Sequence, residues 1–411
     1  MMKKLFTILL SAVVFCQLYS KQLQIIATCD IHGNLSNFAK MLPVIRQYPD
    51  AIKLDLGDLF HGEPLTDILK GAPMADALNL AEYDFFIPGN HEFELPVPQL
   101  AVFLNRVNAQ LLGQWQIKGV KSAPWKLVRR NGFTLAVIGM TANSIYYHRK
   151  LYPDLTSVDE LDAIAQAMQE IRKHKIDAVV LARHSGNYLT NITMGKFLQK
   201  FPEIRLVICS HTHKEIAGQR SGRTLIVQPG AYCASAALVT MRYVNGKDLL
   251  LTSKLLRPGK VPAPEIVSLQ QNLQDKHGDF LQEKRLELTS FETQADQWLK
   301  EFCAVAEADC AILDISPMQP GSYTRSALLK HFPYRNRLLK ISLTREEYTA
   351  LLKEKVPARR RRFSSPLPQD KEKFTVVMDT HQFSRSLLLQ DRTDFQLLPV
   401  IARDIILKEK L

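Results

Sequence analysis

Eight side chains that could bind or act beside metal ions follow short apolar runs in this sequence. In chain order they are Asp30, His32, Asp58, Asn90, His91, His184, His211 and His213. Carboxylate oxygens, amide oxygens and imidazole nitrogens all bind divalent cations such as zinc, manganese and iron. Their repeated placement after apolar runs indicates a common metal site.

The apolar runs are short and rich in β-branched residues, which predicts buried strands of an α/β sheet. They are Leu23–Thr28, Ala51–Leu56, Tyr83–Ile87, Ala178–Ala182 and Leu206–Cys209. Ligands of open α/β sheets gather at the carboxyl ends of the strands. We therefore expect the polar residues that follow these runs to meet at one edge.

Local spacing indicates how some of these side chains could share ions. Asp30 and His32 are two residues apart, so on an extended backbone their side chains point the same way. His211 and His213 repeat this spacing and suit two neighbouring cations. Asp58 follows a glycine that permits a sharp turn, and its carboxylate could bridge two ions.

His91 is expected to differ in role from its neighbour Asn90. Asn90 offers a neutral oxygen ligand, whereas the side chain of His91 points elsewhere and is free for acid or electrophilic chemistry. Glu94, three residues later, could orient the imidazole if a helical turn begins there. Each motif alone has an ordinary alternative: a loop, a Gly-Asp turn, a capped helix start or a structural histidine.

The composition describes a globular chain with a basic surface. Its 411 residues are 46% hydrophobic, which is enough for two domains with buried cores and excludes disorder of the whole chain. The formal net charge of +12 attracts phosphate-rich ligands, anionic polymers and membrane surfaces without specifying any of them. Basic residues are densest at Arg359, Arg360, Arg361 and Arg362, which form either a solvated loop or a weak anion-binding patch.

Residues 1–20 have the pattern of a secretory signal peptide. Lys3 and Lys4 precede an apolar stretch that is short for a membrane span, and the small residue Ser20 ends the segment. This pattern predicts a periplasmic or secreted protein, with a retained N-terminal anchor as the alternative. Five cysteines follow, so a complete disulfide framework is impossible; Cys303 and Cys310 could pair if exported, although packing roles are favoured.

The chain is predicted to hold two domains. Strand–helix alternation, including a helix at Val158–Lys175 capped by Ser157, continues through a hairpin at Asn245-Gly246. Residues 21–256 then form the first domain, residues 257–286 a linker and helix, and residues 287–411 a smaller α/β domain. The elements predicted there are helix Glu292–Ala306, strand Asp309–Ile315, a helix near Ser326–His331, strand Leu338–Ser342, a helix from Thr344 with a capping box to Glu347, strand Phe374–Met378 and a helix around Leu397–Lys408.

Taken together, the motifs resemble the calcineurin-like metallophosphoesterases, and most closely the exported bacterial 5′-nucleotidases. The order and approximate spacing of that family are matched from about Leu23 to Tyr232. The matching motifs are Asp30-Ile-His32-Gly33, Gly57-Asp58, Gly89-Asn90-His91-Glu92-Phe93-Glu94, His184-Ser-Gly186, His211-Thr-His213 and Val227-Gln228-Pro-Gly230. The resemblance implies a four-layer α/β/β/α sandwich for the first domain.

The same resemblance implies roles for the site residues. One divalent ion would be bound by Asp30, His32, Asp58 and His213, and a second by Asp58, Asn90, His184 and His211. A hydroxide generated at these metals would attack phosphorus, while His91, oriented by Glu94, stabilises the transition state or protonates the leaving oxygen. Asn90 would also contact the substrate, which the family implies is a small phosphate ester, foremost a nucleotide.

The sequence departs from this family mainly in the second domain. Asp314-Ile-Ser-Pro-Met-Gln319 replaces a segment like Asn-Gly-Gly-Ile-Arg, and Asp379-Thr-His-Gln-Phe383 replaces Gly-Gly-Asp-Gly. Phe332-Pro333-Tyr334-Arg335-Asn336 does match. Tyr334 and Phe363 are candidate substrate contacts, with core packing as the favoured alternative for each. Glu94 replaces the family's usual aspartate. Two other functions stay open: a phosphodiesterase acting on cyclic nucleotides or nucleic-acid ends, and a non-catalytic anion-binding module.

Overall fold

The computed structural model of the protein describes residues 21–141, 154–185, 194–244, 248–389 and 392–408. By contacts the chain divides into two compact units. One holds the chain up to His61 and Thr66–Asn272, and the other holds Gly62–Leu65 and the chain from Leu273. The predicted signal peptide and the predicted Asn245-Gly246 turn lie outside the described residues.

Each of the five predicted apolar runs contributes a strand to the first unit, although the run Tyr83–Ile87 is a strand only at Phe85–Phe86. The strands of this unit are β1 (Gln22–Thr28), β2 (Ile52–Asp55), β3 (Phe85–Phe86), β4 (Gln110–Leu112), β5 (Trp115–Ile117), β6 (Ser122–Ala123), β7 (Trp125–Arg130), β8 (Phe133–Met140), β9 (Leu155–Ser157), β10 (Ala178–Arg183), β11 (Ile204–Cys209), β12 (Ile216–Ser221), β13 (Thr224–Gln228), β14 (Ala236–Val244) and β15 (Asp248–Leu256). The helices that begin in this part of the chain are α1 (Leu35–Ile45), α2 (Pro64–Ile68), α3 (Ala72–Leu80), α4 (Val97–Arg106), α5 (Glu160–Ile171), α6 (Met194–Lys200) and α7 (Pro264–Gln282).

Two large sheets form the first unit. One has the order β15-β14-β1-β2-β3-β4-β6 and the other the order β12-β13-β11-β10-β8-β7. Within each sheet, the strands that precede the candidate ligands run parallel to one another: β1, β2 and β3 in the first, and β10 and β11 in the second. Their carboxyl ends therefore lie on one side within each sheet.

The core of the first unit lies between the two sheets. Alternate residues of β1, such as Ile25 and Ala27, share one buried cluster with alternate residues of β8 and β10, such as Val137 and Val180. Helices cover the outer faces: α5 and α6 pack on the second sheet, and Phe103 of α4 lies edge-on to Phe86 of β3. This confirms the four-layer α/β/β/α architecture.

A smaller mixed sheet organises the second unit. The strands of the second unit are β16 (Lys284–Leu288), β17 (Cys310–Ile315), β18 (Gly321–Thr324), β19 (Arg337–Thr344), β20 (Arg361–Ser364), β21 (Lys373–Asp379) and β22 (Phe395–Ile401). Its helices are α8 (Phe291–Ala306), α9 (Arg325–His331), α10 (Arg345–Lys353), α11 (Thr380–Arg385) and α12 (Ala402–Ile406). Five strands pair in the order β20-β17-β21-β19-β22, and β16 pairs with β18. The prediction of a second, smaller α/β unit is confirmed.

Three local predictions need correction. The helix predicted at Val158–Lys175 spans only Glu160–Ile171. Its N-cap is Asp159, whose side chain accepts from the amide of Leu161, and not Ser157, because Ser157 belongs to β9. The helix predicted around Leu397–Lys408 is instead the end of β22 followed by the short α12. Pairing with β19 decides this, since a partner strand outweighs local helical spacing.

The third correction concerns the segment Lys355–Asp370, which was expected to interrupt the alternation of helices and strands. Part of it forms β20, an edge strand paired antiparallel with β17.

The predicted capping box of Thr344 and Glu347 is confirmed at the start of α10. Cys303 and Cys310 are both free thiols. Within the described ranges, no helix has the length and apolar character to cross a bilayer.

Candidate metal centre

The structure places the predicted site residues immediately after five strands of the first unit. Asp30 and His32 follow β1, Asp58 follows β2, and Asn90 and His91 follow β3. His184 follows β10 in the second sheet, and His211 and His213 follow β11. The two sheets therefore contribute to one site from neighbouring edges.

The backbone at these strand ends is not extended, as the sequence analysis assumed, but left-handed. Positive φ angles occur at Asp30 (49°), His32 (51°), Asp58 (52°), His211 (75°) and His213 (57°). For a residue other than glycine this conformation costs roughly 1–3 kcal/mol and persists where surrounding contacts impose it. Five such residues in one site indicate tight turns that aim each side chain, so the extended-backbone argument for Asp30 and His32 is wrong although both do reach the site.

Two glycines allow the ligand loops to come this close together. A Cβ atom on Gly57 would lie 2.1 Å from the amide nitrogen of Gly89. A Cβ atom on Gly89 would lie 2.2 Å from Oδ1 of Asp58 and 2.5 Å from Cε1 of His184. Any side chain at either position would push the loops apart.

Six of the predicted ligands fall into two groups, each with donor atoms within 4.8 Å of one another. The groups are Asp30 with His32 and His213, and Asp58 with His184 and His211. They adjoin each other, because Nε2 of His184 lies 3.0 Å from Oδ2 of Asp58 and 3.9 Å from Oδ1 of Asp30. His211 and His213, although neighbours in sequence, belong to different groups.

The donor atoms are arranged as a cation requires. Nδ1 of His32 donates to the carbonyl of His61 over 2.8 Å, which leaves Nε2 as the atom with a lone pair, and burial lowers the pKa of His32 to about 4. That Nε2 lies 3.1 Å from Nε2 of His213. Two such nitrogens at this distance are stabilised by a shared cation.

Two further buried atoms point to the same conclusion. Oδ1 of Asn90 has no hydrogen-bond partner among the described residues, although a buried polar atom without a partner costs about 1–3 kcal/mol, and Nε2 of His184 faces Oδ2 of Asp58 at 3.0 Å without hydrogen-bond geometry. Nδ1 of His184 donates to the carbonyl of Leu56, which directs Nε2 towards the carboxylate of Asp58. A divalent ion would satisfy both atoms, so the residues fit a metal centre.

His91 lies beside the two groups and has a different set of partners. Its Nδ1 donates to Oε1 of Glu94, and its Nε2 lies 3.9 Å from Oδ2 of Asp58. A single turn of 3₁₀ helix at Glu92–Glu94 produces the three-residue spacing that pairs Glu94 with His91. Burial alone lowers the pKa of His91, but the charges of Asp58 and Glu94 outweigh it and raise the pKa to about 10. The ring therefore holds a proton beside the metal ligands.

Sequence reasoning missed three residues of this site. Glu92, fully buried, accepts from the amides of Asp58, Leu59 and Gly89 over 2.7–2.8 Å and so fastens two ligand loops to each other. Arg183 and Glu160 form a buried bidentate ion pair directly before His184. No local signal marks these roles, because each depends on a partner at least 23 residues away or on a backbone amide.

Tyr232 is a further side chain without a sequence signal. It is 45% exposed, has a φ of 56°, and its ring centroid lies 5.2 Å from that of His32 and 5.4 Å from that of His213. Its amide donates to the carbonyl of Asp30 over 2.7 Å. An exposed aromatic ring is thus held against two candidate ligands.

The remaining predicted site residues lie in the second unit. Tyr334 is 37% exposed and lines a cavity with Asp314, Asn336 and Arg403. The ring of Phe363 packs edge-on against Phe291 at 5.3 Å, which gives it a packing partner within the unit.

The arginine run is largely engaged in contacts within the second unit. Arg362 forms a bidentate ion pair with Asp314 at 2.7 Å, and Arg361 lies 3.2 Å from Oε1 of Glu292. Arg360 reaches the carbonyl of Asp314 at 3.4 Å, and Arg359 precedes it without being part of β20. Carboxylates therefore offset the charge of two of the four arginines.

Comparison with known proteins agrees with this geometry. Residues 23–215 match the family model of the calcineurin-like phosphoesterases. A Treponema pallidum protein assigned to the 5′-nucleotidases is 25% identical over 190 residues, and the 5′-nucleotidase of Rattus norvegicus is 26% identical over 198 residues. These matches cover 44% and 46% of this chain and 31% and 33% of the relatives, so the chain spans about a third of the length of the curated relatives it matches.

The fold extends the likeness to the whole chain. A Staphylococcus aureus protein assigned to the 5′-nucleotidases, solved in complex with α-ketoglutarate, superposes with a TM-score of 0.76 at 18% identity. The match covers 94% of this chain and 96% of that protein. At this identity the likeness concerns the fold.

Proposed function

The chain contains a calcineurin-like phosphoesterase domain between residues 23 and 215, and on this premise we propose that it is a metal-dependent hydrolase of phosphoric esters. The observation that carries the proposal is the pair of adjoining ligand groups, with His91 beside the Asp58 carboxylate. Relatives that are 5′-nucleotidases support nucleotides or similar phosphomonoesters as substrates.

Each ligand group would hold one divalent ion. Asp30, His32 and His213 surround one position, and Asp58, His184 and His211 the other. Asn90 would contribute its unpartnered Oδ1, and Asp58, whose carboxylate lies 3.0 Å from Nε2 of His184, would bridge the two ions as the resemblance implies. When bound, the ions supply positive charge that polarises a phosphoryl group and lowers the pKa of water.

The protein's own contribution to the chemistry comes from His91. A leaving oxygen that departs from phosphorus gains negative charge, which a nearby imidazolium stabilises or neutralises by giving up its proton. Glu94 holds Nδ1, so the proton available to a substrate is the one on Nε2, which faces the side of Asp58. This assigns Nε2 as the proton donor and Glu94 as the residue that orients the ring.

Hydrolysis of matched aryl esters tests the proposal. The full chain, loaded with manganese, should hydrolyse 4-nitrophenyl phosphate and AMP, and should act weakly on bis(4-nitrophenyl) phosphate. A reversed preference would indicate a phosphodiesterase. If the metal-loaded protein cleaves none of the three, the proposed function is wrong and an anion-binding role becomes the better account.

Export to the periplasm or medium is also part of the proposal. Its support is the pattern of residues 1–20, two lysines followed by an apolar stretch and a small residue. Because β1 begins at Gln22, the mature chain should start near Lys21. N-terminal sequencing of protein recovered from its native host gives the answer: an uncleaved Met1 in the cytosol would overturn export.

A further inference from the structure

A second imidazole lies behind the His91–Glu94 pair. His61 is fully buried, with Nε2 3.9 Å from Oε2 of Glu94 and Nδ1 3.2 Å from Oδ1 of Asp67. Asp67 is itself 2% exposed. The side chains thus form a row from Asp67 through His61 and Glu94 to His91, and the row ends 3.9 Å from the carboxylate of Asp58.

Packing alone does not account for this ring. It stacks at 4.4 Å on Phe60, a contact that a leucine or phenylalanine could make without polar atoms to satisfy. Neither ring nitrogen has a partner with hydrogen-bond geometry among the described residues, although both face carboxylates. A buried histidine in this state costs stability unless its contacts tighten in a working complex.

We propose that His61, held by Asp67, positions Glu94 and through it the imidazole of His91. The inference rests on the proposed function and adds two residues that support its proton donor. Glu94 has three rotatable side-chain torsions and uses Oε1 for His91, and a second contact at Oε2 helps to hold the carboxylate in line with the ring. His61 is the imidazole that faces Oε2.

The loop around His61 is built to hold the ring in place. The hydroxyl of Thr66 donates to the carbonyl of Phe60 over 2.9 Å, and the carbonyl of His61 accepts from Nδ1 of His32 over 2.8 Å. The contact with His32 is made by the backbone. Replacing the His61 side chain therefore leaves this support of the metal site in place, and metal content separates a positioning role from general disruption.

The leaving group of the substrate provides the decisive readout. An alkyl phosphate such as AMP needs its leaving oxygen protonated, whereas 4-nitrophenolate leaves without help. His61→Leu should lower kcat for AMP by about 10–100-fold, the usual effect of losing an outer partner, with KM and metal content near normal. The effect on 4-nitrophenyl phosphate should be much smaller. His61→Gln, which restores one N–H, should recover part of the lost kcat. Asp67→Asn should lower kcat for AMP in the same way as His61→Leu but by a smaller factor.

Two controls make the test specific. His174→Leu removes an exposed histidine that packs near Trp125 in the same unit and should change neither substrate's kcat. In a His91→Asn background, His61→Leu should cause no further loss, because its effect passes through His91. Equal losses on both substrates, or losses that add in the double variant, would show that His61 serves packing only.

A spectroscopic readout keeps the inference testable if hydrolysis is not observed. In the full-length zinc-loaded protein, which is diamagnetic, the Nδ1 hydrogen of His91 should give a low-field proton signal, assigned by its disappearance in His91→Asn. His61→Leu should broaden this signal or shift it, because Glu94 loses its second contact, while His174→Leu leaves it unchanged. A signal identical to wild type in His61→Leu would overturn the inference whatever the enzyme assays show.

Discussion

At the scale of single residues, the partner of one ring nitrogen decides what the other nitrogen can do. His32 and His184 each donate from Nδ1 to a backbone carbonyl, those of His61 and Leu56. Their Nε2 atoms are thereby available as metal ligands. His91 donates from Nδ1 to the carboxylate of Glu94 instead and lies outside both ligand groups. The same residue type would therefore serve as ligand and as acid within one site.

Substitutions at Asp58 and His91 should separate these two roles. Asp58→Asn removes the carboxylate next to both His184 and His91 and should abolish hydrolysis together with metal binding. His91→Asn should lower kcat by roughly 10²–10⁴-fold, the usual effect of losing an acid–base group, with metal content near normal. Elemental analysis beside steady-state kinetics checks both. Loss of metal from His91→Asn would mean that His91 is itself a ligand.

At the scale of elements, β10 is joined to α5 by an ion pair that supports the ligand at the strand end. Arg183, the last residue of β10, is 1% exposed, and Glu160 begins α5. Their two contacts measure 2.7 and 2.8 Å. Because His184 comes next, the pair fixes the strand end from which that imidazole projects.

Breaking this pair should destabilise the protein strongly. Glu160→Ala leaves a buried guanidinium without its carboxylate, which should lower the free energy of unfolding by about 3–5 kcal/mol. Glu203→Ala is the matched control: it breaks a pair with Arg172 that is exposed on the same unit, and should cost at most about 1 kcal/mol. Urea denaturation of the metal-free protein measures both. Equal effects would contradict the importance of burial.

A second element-scale prediction concerns the start of α11. Asp379 caps this helix by accepting from the amide of Gln382, and burial raises its pKa to about 6. Since the folded pKa lies above the unfolded one of 3.8, the protonated form is the one that stabilises the fold. This contribution is complete below about pH 4 and is lost as the pH rises through 6.

Asp379→Asn should remove that dependence while keeping an oxygen acceptor for the cap. Relative to wild type, the variant should gain about 3 kcal/mol in free energy of unfolding between pH 4 and pH 8, from about two pKa units. Asp309→Asn is a control of opposite sign, because the hydrogen bond from Lys371 lowers the pKa of Asp309. Denaturation curves at both pH values give the comparison; parallel behaviour of the two variants would contradict the assignment.

At the scale of the whole molecule, the candidate metal ligands are all present, whereas the segments expected to bind a nucleoside are altered. The first unit brings the candidate ligands together. In the second unit, the segments at Asp314–Gln319 and Asp379–Phe383 lack the glycines and arginine of the family, and Phe363 already packs on Phe291. If the chain hydrolyses nucleotides as proposed, it should therefore discriminate poorly between bases.

Specificity constants should therefore be similar for different phosphomonoesters. Loss of base stacking, which contributes roughly 1–3 kcal/mol per base, should bring kcat/KM for AMP, UMP and a small sugar phosphate within about tenfold of one another. Competition assays with the metal-loaded protein measure this directly. A preference for AMP of about a thousandfold, some 4 kcal/mol, would reveal a nucleoside pocket, and Tyr334→Ala and Phe363→Ala would then locate it.

The sequence alone predicted the strands that precede the candidate ligands, the order of the polar residues after them, and the pairing of His91 with Glu94. These features are local: apolar runs of β-branched residues form buried strands, and a three-residue spacing on a helical turn brings two side chains together. The helix at α10 was predicted for the same reason, because its capping box lies within four residues.

Only the tertiary structure decided how distant residues combine. The sheet order places His213 beside His32, 181 residues away, and sends its neighbour His211 to the other ligand group. Left-handed turns, Glu92 and the Glu160–Arg183 pair aim these side chains, and β22 is a strand because β19 lies next to it. Local spacing cannot encode such contacts, since their free energy comes from partners that only the folded chain brings within reach.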